Sequence, residues 1–216
     1  LDLVFLLDTT GSMSGELSEA KNRVRQIAEA LREADPDRTL RVGVVAYRDR
    51  TDVYITQVSD LNSDIDVSFR ALAGLTANGG GDGPEDVLSG MHSALQEISW
   101  STDPDTQRQV FLIGDAPPHL DYIDHHDPDA LLAQAREMGV VFHAIGCRSL
   151  SGSGRDFFRR VAYETEGRYQ HIGRVSLDQG GLADAMISTL VREPDSPLEP
   201  LGAYPHSDQP PDASHS

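Results

Sequence analysis

Apolar positions along this chain follow two rhythms. Runs with no more than one polar residue each, over residues 1–7, 40–47, 109–114 and 140–147, have the length and the β-branched content of strands buried on both faces. Elsewhere apolar residues recur every three or four positions, the spacing of a helix with one buried face. Residues 14–34 carry Leu17, Ala20, Val24, Ile27, Ala28 and Leu31 in this way and turn Lys21, Arg25, Glu29 and Arg32 to water. Further helices are predicted over 64–74, 84–98, 128–138, 155–166 and 178–191. Residues 53–58 read as a strand joined to 40–47 by the turn Arg48-Asp49-Arg50-Thr51-Asp52, an edge hairpin in which Arg48 pairs with Asp49, and 168–172 as a last strand. Gly152-Ser153-Gly154 reads as a flexible turn, and Trp100 as a plug at the end of the 84–98 helix.

Strands alternating with helices predict an α/β fold: a doubly wound, mostly parallel sheet with helices on both faces and one antiparallel edge strand. Ligands of such sheets collect at the carboxyl ends of strands, near the point where the strand order reverses. Asp8 and Asp115 each end a predicted strand and Asp82 lies in a glycine-rich loop, so the three are expected to converge there. The domain is assigned to 1–191. Residues 192–216 form an acidic tail that holds six of the twelve prolines and few large apolar side chains, and it is expected to be extended or disordered.

Charge narrows the partners. The chain of 216 residues has a formal net charge of −17, and residues 193–216 supply five of the acids with no Lys or Arg, leaving −12 on the rest. Such a field repels phosphate backbones and anionic lipid and concentrates cations, so no nucleic-acid partner is expected. No apolar run approaches the ~18 residues of a membrane span. Cys147 is the only cysteine, which excludes an intrachain disulfide and a cysteine-based zinc site. With no basic segment preceding an apolar stretch, the chain leans to the cytoplasm, a bacterial extracellular location being the alternative. The start at Leu1, inside a strand, is what a fragment of a longer protein would give.

The candidate chemistry is metal binding through oxygen. In Asp8-Thr9-Thr10-Gly11-Ser12 a buried strand delivers a carboxylate and two hydroxyls into a turn, and oxygen ligands alone select a hard divalent cation. The Asp8, Thr10, Ser12 order is that of the metal-ion-dependent adhesion site and resembles the von Willebrand factor type A family. Gly79-Gly80-Gly81-Asp82-Gly83-Pro84-Glu85-Asp86 lies where that family places its second metal loop, and Asp115 after 110–114 where it places its third. With Ala46-Tyr47-Arg48-Asp49 and Asp115-Ala116-Pro117-Pro118-His119, these segments look most like the hemicentin, α-kinase-linked and bacterial branch.

The resemblance implies a Rossmann-like fold, a Mg²⁺ site (Mn²⁺ or Ca²⁺ as alternatives) held by Asp8, Thr10, Ser12, Asp82 and Asp115, and a protein partner that completes the metal shell with an acidic side chain, as in cell adhesion. Many relatives have a threonine in the middle loop; counting back from Leu88 puts Asp82 in that slot, with Thr76 the alternative under a different alignment. An aspartate there leaves excess negative charge on the ion and makes it a weaker Lewis acid toward an acidic partner. Glu85 and Asp86 are read as acids favouring the start of a helix, with Glu85 and His119 on the partner-binding rim. The glycines carry no following lysine, so they are not a phosphate loop. His119, His125 and His126 lack the His-Glu-x-x-His spacing of a helical zinc site and read as a solvated loop, His119 beside Asp115 and Asp127 capping the next helix. Ser12 sits in no Gly-x-Ser-x-Gly elbow. The segment is therefore expected not to be an enzyme but a metal-dependent protein-binding module; the alternative is a regulatory or substrate-recruiting module of a larger kinase- or ATPase-linked system.

Overall fold

The computed structural model describes residues 1–21, 33, 39–81, 83–148 and 150–172. Six strands form one sheet in the order β3-β2-β1-β4-β5-β6, with β1 Asp2–Asp8, β2 Arg41–Tyr47, β3 Thr56–Asn62, β4 Arg108–Gly114, β5 Val140–Cys147 and β6 Tyr169–Ile172. All neighbours are parallel except β2 and β3. The helices are α1, described over 14–21 after a 3-10 turn at Gly11–Met13, then α2 Ile65–Gly74, α3 Val87–Gln96, α4 Pro128–Met138 and α5 Gly152–Glu164. The doubly wound fold is as the sequence predicts, antiparallel edge included. The expected helix at 178–191, the tail and most of the helix beyond residue 21 lie outside the described residues.

The apolar runs are explained by two cores. Leu3, Phe5 and Leu7 of β1 pack on one face with Met13, Leu17 and Leu72, and Val4 and Leu6 on the other with Leu88, Met91, Leu132 and Phe158. A central strand covered on both sides leaves no position for a polar residue except at its ends, and Asp2 and Asp8 stand at those ends. Asp2 is buried but held by the Arg41 guanidinium at 2.8 and 2.5 Å and by the Ser101 N–H at 2.8 Å. Trp100, next to this bond, donates its ring N–H to the Ala94 carbonyl at 2.9 Å and packs against the second core.

Three boundaries differ from the sequence expectation, each for a local reason. β3 begins at Thr56, not 53: β2 ends at Tyr47, which pairs with Thr56, and the turn that follows is closed by Asp52 N–H on the Asp49 carbonyl, leaving Val53, Tyr54 and Ile55 in a loop. The edge strand is accordingly the polar stretch Thr56–Asn62. α3 begins at Val87 because Glu85 is held in a bridge to Pro118, giving its N–H to the Pro117 carbonyl, and Asp86 caps the helix through the Ser89 N–H at 3.1 Å. α5 starts at Gly152, capped by the Ser151 hydroxyl, where a turn was expected.

β4 meets β1 most tightly at its carboxyl end. A Cβ on Gly114 would strike the Tyr47 hydroxyl and come within 3.4 Å of the Asp8 side chain, and Tyr47 is fully buried and cannot withdraw. Gly114→Ala is expected to destabilise the domain by about 1–3 kcal/mol, read as a lowered urea midpoint at unchanged slope.

Candidate metal centre

β1 and β4 lie side by side at the centre of the sheet, and the chain leaves β1 for α1 and β4 for α4 on opposite faces, which opens a crevice between their carboxyl ends. Side chains alternate as β1 runs out. Thr9 turns toward β2 and is spent there, its hydroxyl donating to the Tyr47 carbonyl at 3.0 Å and lying 2.8 Å from the Tyr54 hydroxyl. Asp8 and Thr10 face the crevice. The Thr10 N–H and hydroxyl both donate to Asp8 Oδ1, at 2.9 and 2.6 Å, a turn in which the carboxylate organises the backbone that follows it. Thr10 Oγ1 lies 3.3 Å from Ser12 Oγ, and the Ser12 hydroxyl donates to Asp115 Oδ1 at 2.9 Å. Asp8, Thr10, Ser12 and Asp115 thus form one chain of oxygens across the crevice.

The middle loop is fastened onto this chain through its backbone. Gly11 N–H donates to the Gly79 carbonyl and Asn78 N–H to the Thr9 carbonyl, both at 3.1 Å. Asp52 accepts the Gly80 N–H at 3.1 Å. Gly79 and Gly80 have φ of +77° and +66°, and a Cβ at Gly80 would meet Glu85 Oε1 at 2.7 Å and Thr10 Cβ at 2.9 Å, so glycine is required both for the turn and for the approach. Asp82 lies outside the described residues. Thr76, its alternative, is exposed and gives its carbonyl to Arg48 at 2.5 Å.

Glu85 is the residue the sequence reading misplaced. Expected in the first turn of a helix and on an exposed rim, it is 3% exposed beside Thr10 and Gly80, because the bridge to Pro118 draws it down into the crevice. A Pro-Glu-Asp run carries no signal of that pairing across 33 positions. His119 is also buried. It turns not to Asp115 but to Asp121, at 2.7 Å from Nδ1, with Nε2 3.7 Å from Asp49, and it stacks on Tyr122. Arg48 and Asp49 do not make the expected turn ion pair: Arg48 donates to Thr9 and Thr76, and Asp49 accepts the Tyr122 hydroxyl at 2.5 Å. His126 stacks on His92, and Asp127 caps α4 through the Asp129 N–H at 2.9 Å.

Two buried carboxylate oxygens, Asp8 Oδ2 and Glu85 Oε2, have no hydrogen-bond partner. Burial raises the Asp8 carboxyl from its ordinary 3.8 to about 7, against the hydrogen bonds from Thr10, with Asp115 adding repulsion. Burial, then repulsion from Asp8, Asp49, Asp52 and Asp115, lifts Glu85 to about 9. Asp115 is raised too, chiefly by burial. A buried anion without a counter-charge is costly, and a divalent cation removes that cost. The donors fit one: hydroxyls of Thr10 and Ser12 with carboxylates of Asp8, Asp115 and Glu85 are hard oxygens of the kind Mg²⁺, Mn²⁺ and Ca²⁺ take, with water filling the remainder. Among the described residues no three His, Cys, Asp or Glu side chains gather closely enough to hold an ion.

The comparisons with known proteins give the family and the fold. A family profile described as the von Willebrand factor A domain matches residues 2–184. The α-protein kinase vwkA of Dictyostelium discoideum is 35% identical over 121 residues, 55% of this chain and 19% of the kinase. The human von Willebrand factor A domain-containing protein 7 is 32% identical over 142 residues, 65% of this chain and 14% of that protein. The chain therefore spans less than a fifth of the length of either relative. Proximal thread matrix protein 1 from the mussel byssus, in a structure with a zinc occupied MIDAS motif, superposes with a TM-score of 0.64 at 20% identity over 86% of this chain and 45% of that one.

Because folding raises both carboxyls, the folded protein holds protons that the unfolded chain has released, from about 3.8 up to about 7 for Asp8 and from about 4.5 up to about 9 for Glu85. Their contribution to stability is full below the lower values and is lost as pH rises through the upper ones. In EDTA the melting temperature should therefore fall between about pH 5 and pH 8, and Mg²⁺ should restore it most at the higher pH, where its ligands are deprotonated. Asp8→Asn, which removes the buried charge and keeps the shape, should raise the melting temperature in EDTA at about pH 8 and abolish the response to Mg²⁺; an unchanged response would remove Asp8 from the metal set.

Proposed function

The chain belongs to the von Willebrand factor A domain family, and on that premise we propose that it is a divalent-metal-dependent protein-binding module, with Mg²⁺ its ordinary ion and Mn²⁺ or Ca²⁺ as substitutes. The observation that carries this reading is the pair of buried, unpartnered carboxylate oxygens on Asp8 and Glu85 beside the hydroxyls of Thr10 and Ser12. Asp8, Thr10, Ser12 and Asp115 would hold the ion, with Asp82 the candidate for the middle loop's oxygen and Glu85 beside Thr10. A bound ion would supply positive charge and Lewis acidity there. Ser12, which is exposed, is the ligand nearest to a partner. No catalysis is assigned to this segment: the hydroxyls are spent on carboxylates, and Cys147 is buried with its thiol pushed well above its ordinary range by burial and by Glu16 and Asp115.

A partner's acidic side chain at the ion is the usual arrangement for such a site, and here it meets Asp8, Asp115 and Glu85 around one divalent charge, which weakens it. The second reading is a regulatory or substrate-recruiting module of a larger enzyme system. It is favoured by the likeness to a protein named as an α-kinase, of which this chain corresponds to 19%.

Capture of partners from the native source with and without EDTA tests the main reading. Proteins retained in Mg²⁺ should be released by EDTA and should not bind Asp8→Ala, whose fold is checked by circular dichroism; retention indifferent to both would sink it. The middle loop is tested separately. Asp82→Ala should weaken Mg²⁺ binding in calorimetry about tenfold or more, as loss of a charged ligand does, while Thr76→Ala should leave it unchanged; the reverse ranking would reassign the ligand to Thr76.

A further inference from the structure

Large apolar side chains are exposed at five of the described positions, and four of them fall on two loops: Val53 and Ile55 between β2 and β3, Leu120 and Ile123 between β4 and α4. Val53 is 93% exposed and Ile123 fully so. Scattered exposed aliphatics are ordinary on a protein surface, but concentration on a pair of neighbouring loops marks an interaction site. The loops are held rigidly together. Tyr122 lies between the His119 ring, at 4.1 Å, and the Arg50 guanidinium, at 4.2 Å, and its hydroxyl reaches Asp49 on the other loop at 2.5 Å. Arg50 in turn joins Asp86 at the cap of α3, at 2.9 Å, to Asp124. An ordered surface loses little freedom when something binds it.

The charge on these loops is one-sided. Asp121 and Asp124 extend side chains that are 78% and 80% exposed, each with one oxygen engaged, by His119 and by Arg50. The only Lys or Arg in the two loops, Arg48 and Arg50, are both engaged: Arg48 is buried on Thr9 and Thr76, and Arg50 is shared between two aspartates. The surface therefore offers aliphatic contact with an acidic border and no free cation of its own.

We propose that these two loops form a docking surface for a protein segment that presents aliphatic side chains next to Lys or Arg. The proposal deepens the protein-binding reading and rests on it. Aliphatic groups of the partner cover Val53, Ile55, Leu120 and Ile123, and its cations face Asp121 and Asp124. An acidic segment is repelled by that border, and a second copy of this chain, at −17, is repelled as a whole.

The test uses three short fluorescent peptides, alternating Leu/Lys, Leu/Glu and Ser/Lys, titrated into the whole chain in Mg²⁺ by anisotropy and mapped by amide chemical shifts. The Leu/Lys peptide should bind, perturb residues 49–55 and 119–126, and weaken with salt; the other two should bind far less. Val53→Ser with Ile123→Ser, both at exposed positions, should reduce Leu/Lys affinity about tenfold or more, the scale of one aliphatic side chain's burial. Tyr163→Ser, an exposed control on α5, should not. Equal binding of the Leu/Glu or Ser/Lys peptide, shifts that map elsewhere, or an unaffected double variant would overturn the proposal, as would a dimer on gel filtration that the double variant abolishes. Repeating the titration with Asp8→Ala separates the two readings: peptide binding kept, with Mg²⁺-dependent capture of native partners never observed, removes the metal-dependent function and leaves the surface. Capture kept by the Val53/Ile123 variant removes the surface and leaves the metal.

Discussion

The Asp8 carboxylate stands at the end of a strand that is buried on both faces, with one oxygen saturated by Thr10 and the other facing nothing. Much of the upper half of the molecule is arranged around that anion. Thr10 is oriented by it, Ser12 is aligned by Thr10 and Asp115, and the glycine loop is pressed down upon the same turn until Glu85 and Thr10 nearly meet across Gly80. An apolar sheet end would be more stable in isolation. A carboxylate retained there, against desolvation strong enough to bring its pKa near neutrality, is what the proposed metal site requires.

The loops around the centre are fixed by ionic and aromatic contacts and not by secondary structure. Arg50 is the joint. It receives the cap of α3 on one side and the loop before α4 on the other, so the backbone that carries Glu85 and the loop that carries Ile123 share a single guanidinium. By linkage, any preference of the metal-loaded state for a partner is matched by an equal preference of the partner-bound state for metal.

The parts of this protein legible in its sequence are those governed by burial. Runs that must be apolar on both faces gave the parallel strands, helical periodicity gave α2 and α4 to within a residue, and strands ending at or just before an Asp placed Asp8 and Asp115 at the crevice. What was not legible depends on contacts between distant residues. Val53-Tyr54-Ile55 has strand composition, yet the Asp49–Asp52 turn and the pairing of Tyr47 with Thr56 move the strand onto the polar residues after it. Glu85 resembled a helix-starting acid, and only its pairing with Pro118 makes it part of the crevice. Arg48 and Asp49, adjacent and oppositely charged, each found a better partner elsewhere.

Trp100, the only tryptophan, sits at the opposite pole of the sheet from the metal centre, beside the bond that ties Ser101 to Asp2 at the start of β1, and it is anchored by Ala94 in the second core. Its emission consequently follows loss of the core and is silent to events among the loops. Tyr122 and Tyr54 occupy the other pole, against Arg50 and Arg48. Tyr47 and Tyr169 belong to the second core as well, so tyrosine reports on both regions and tryptophan alone isolates loss of the core.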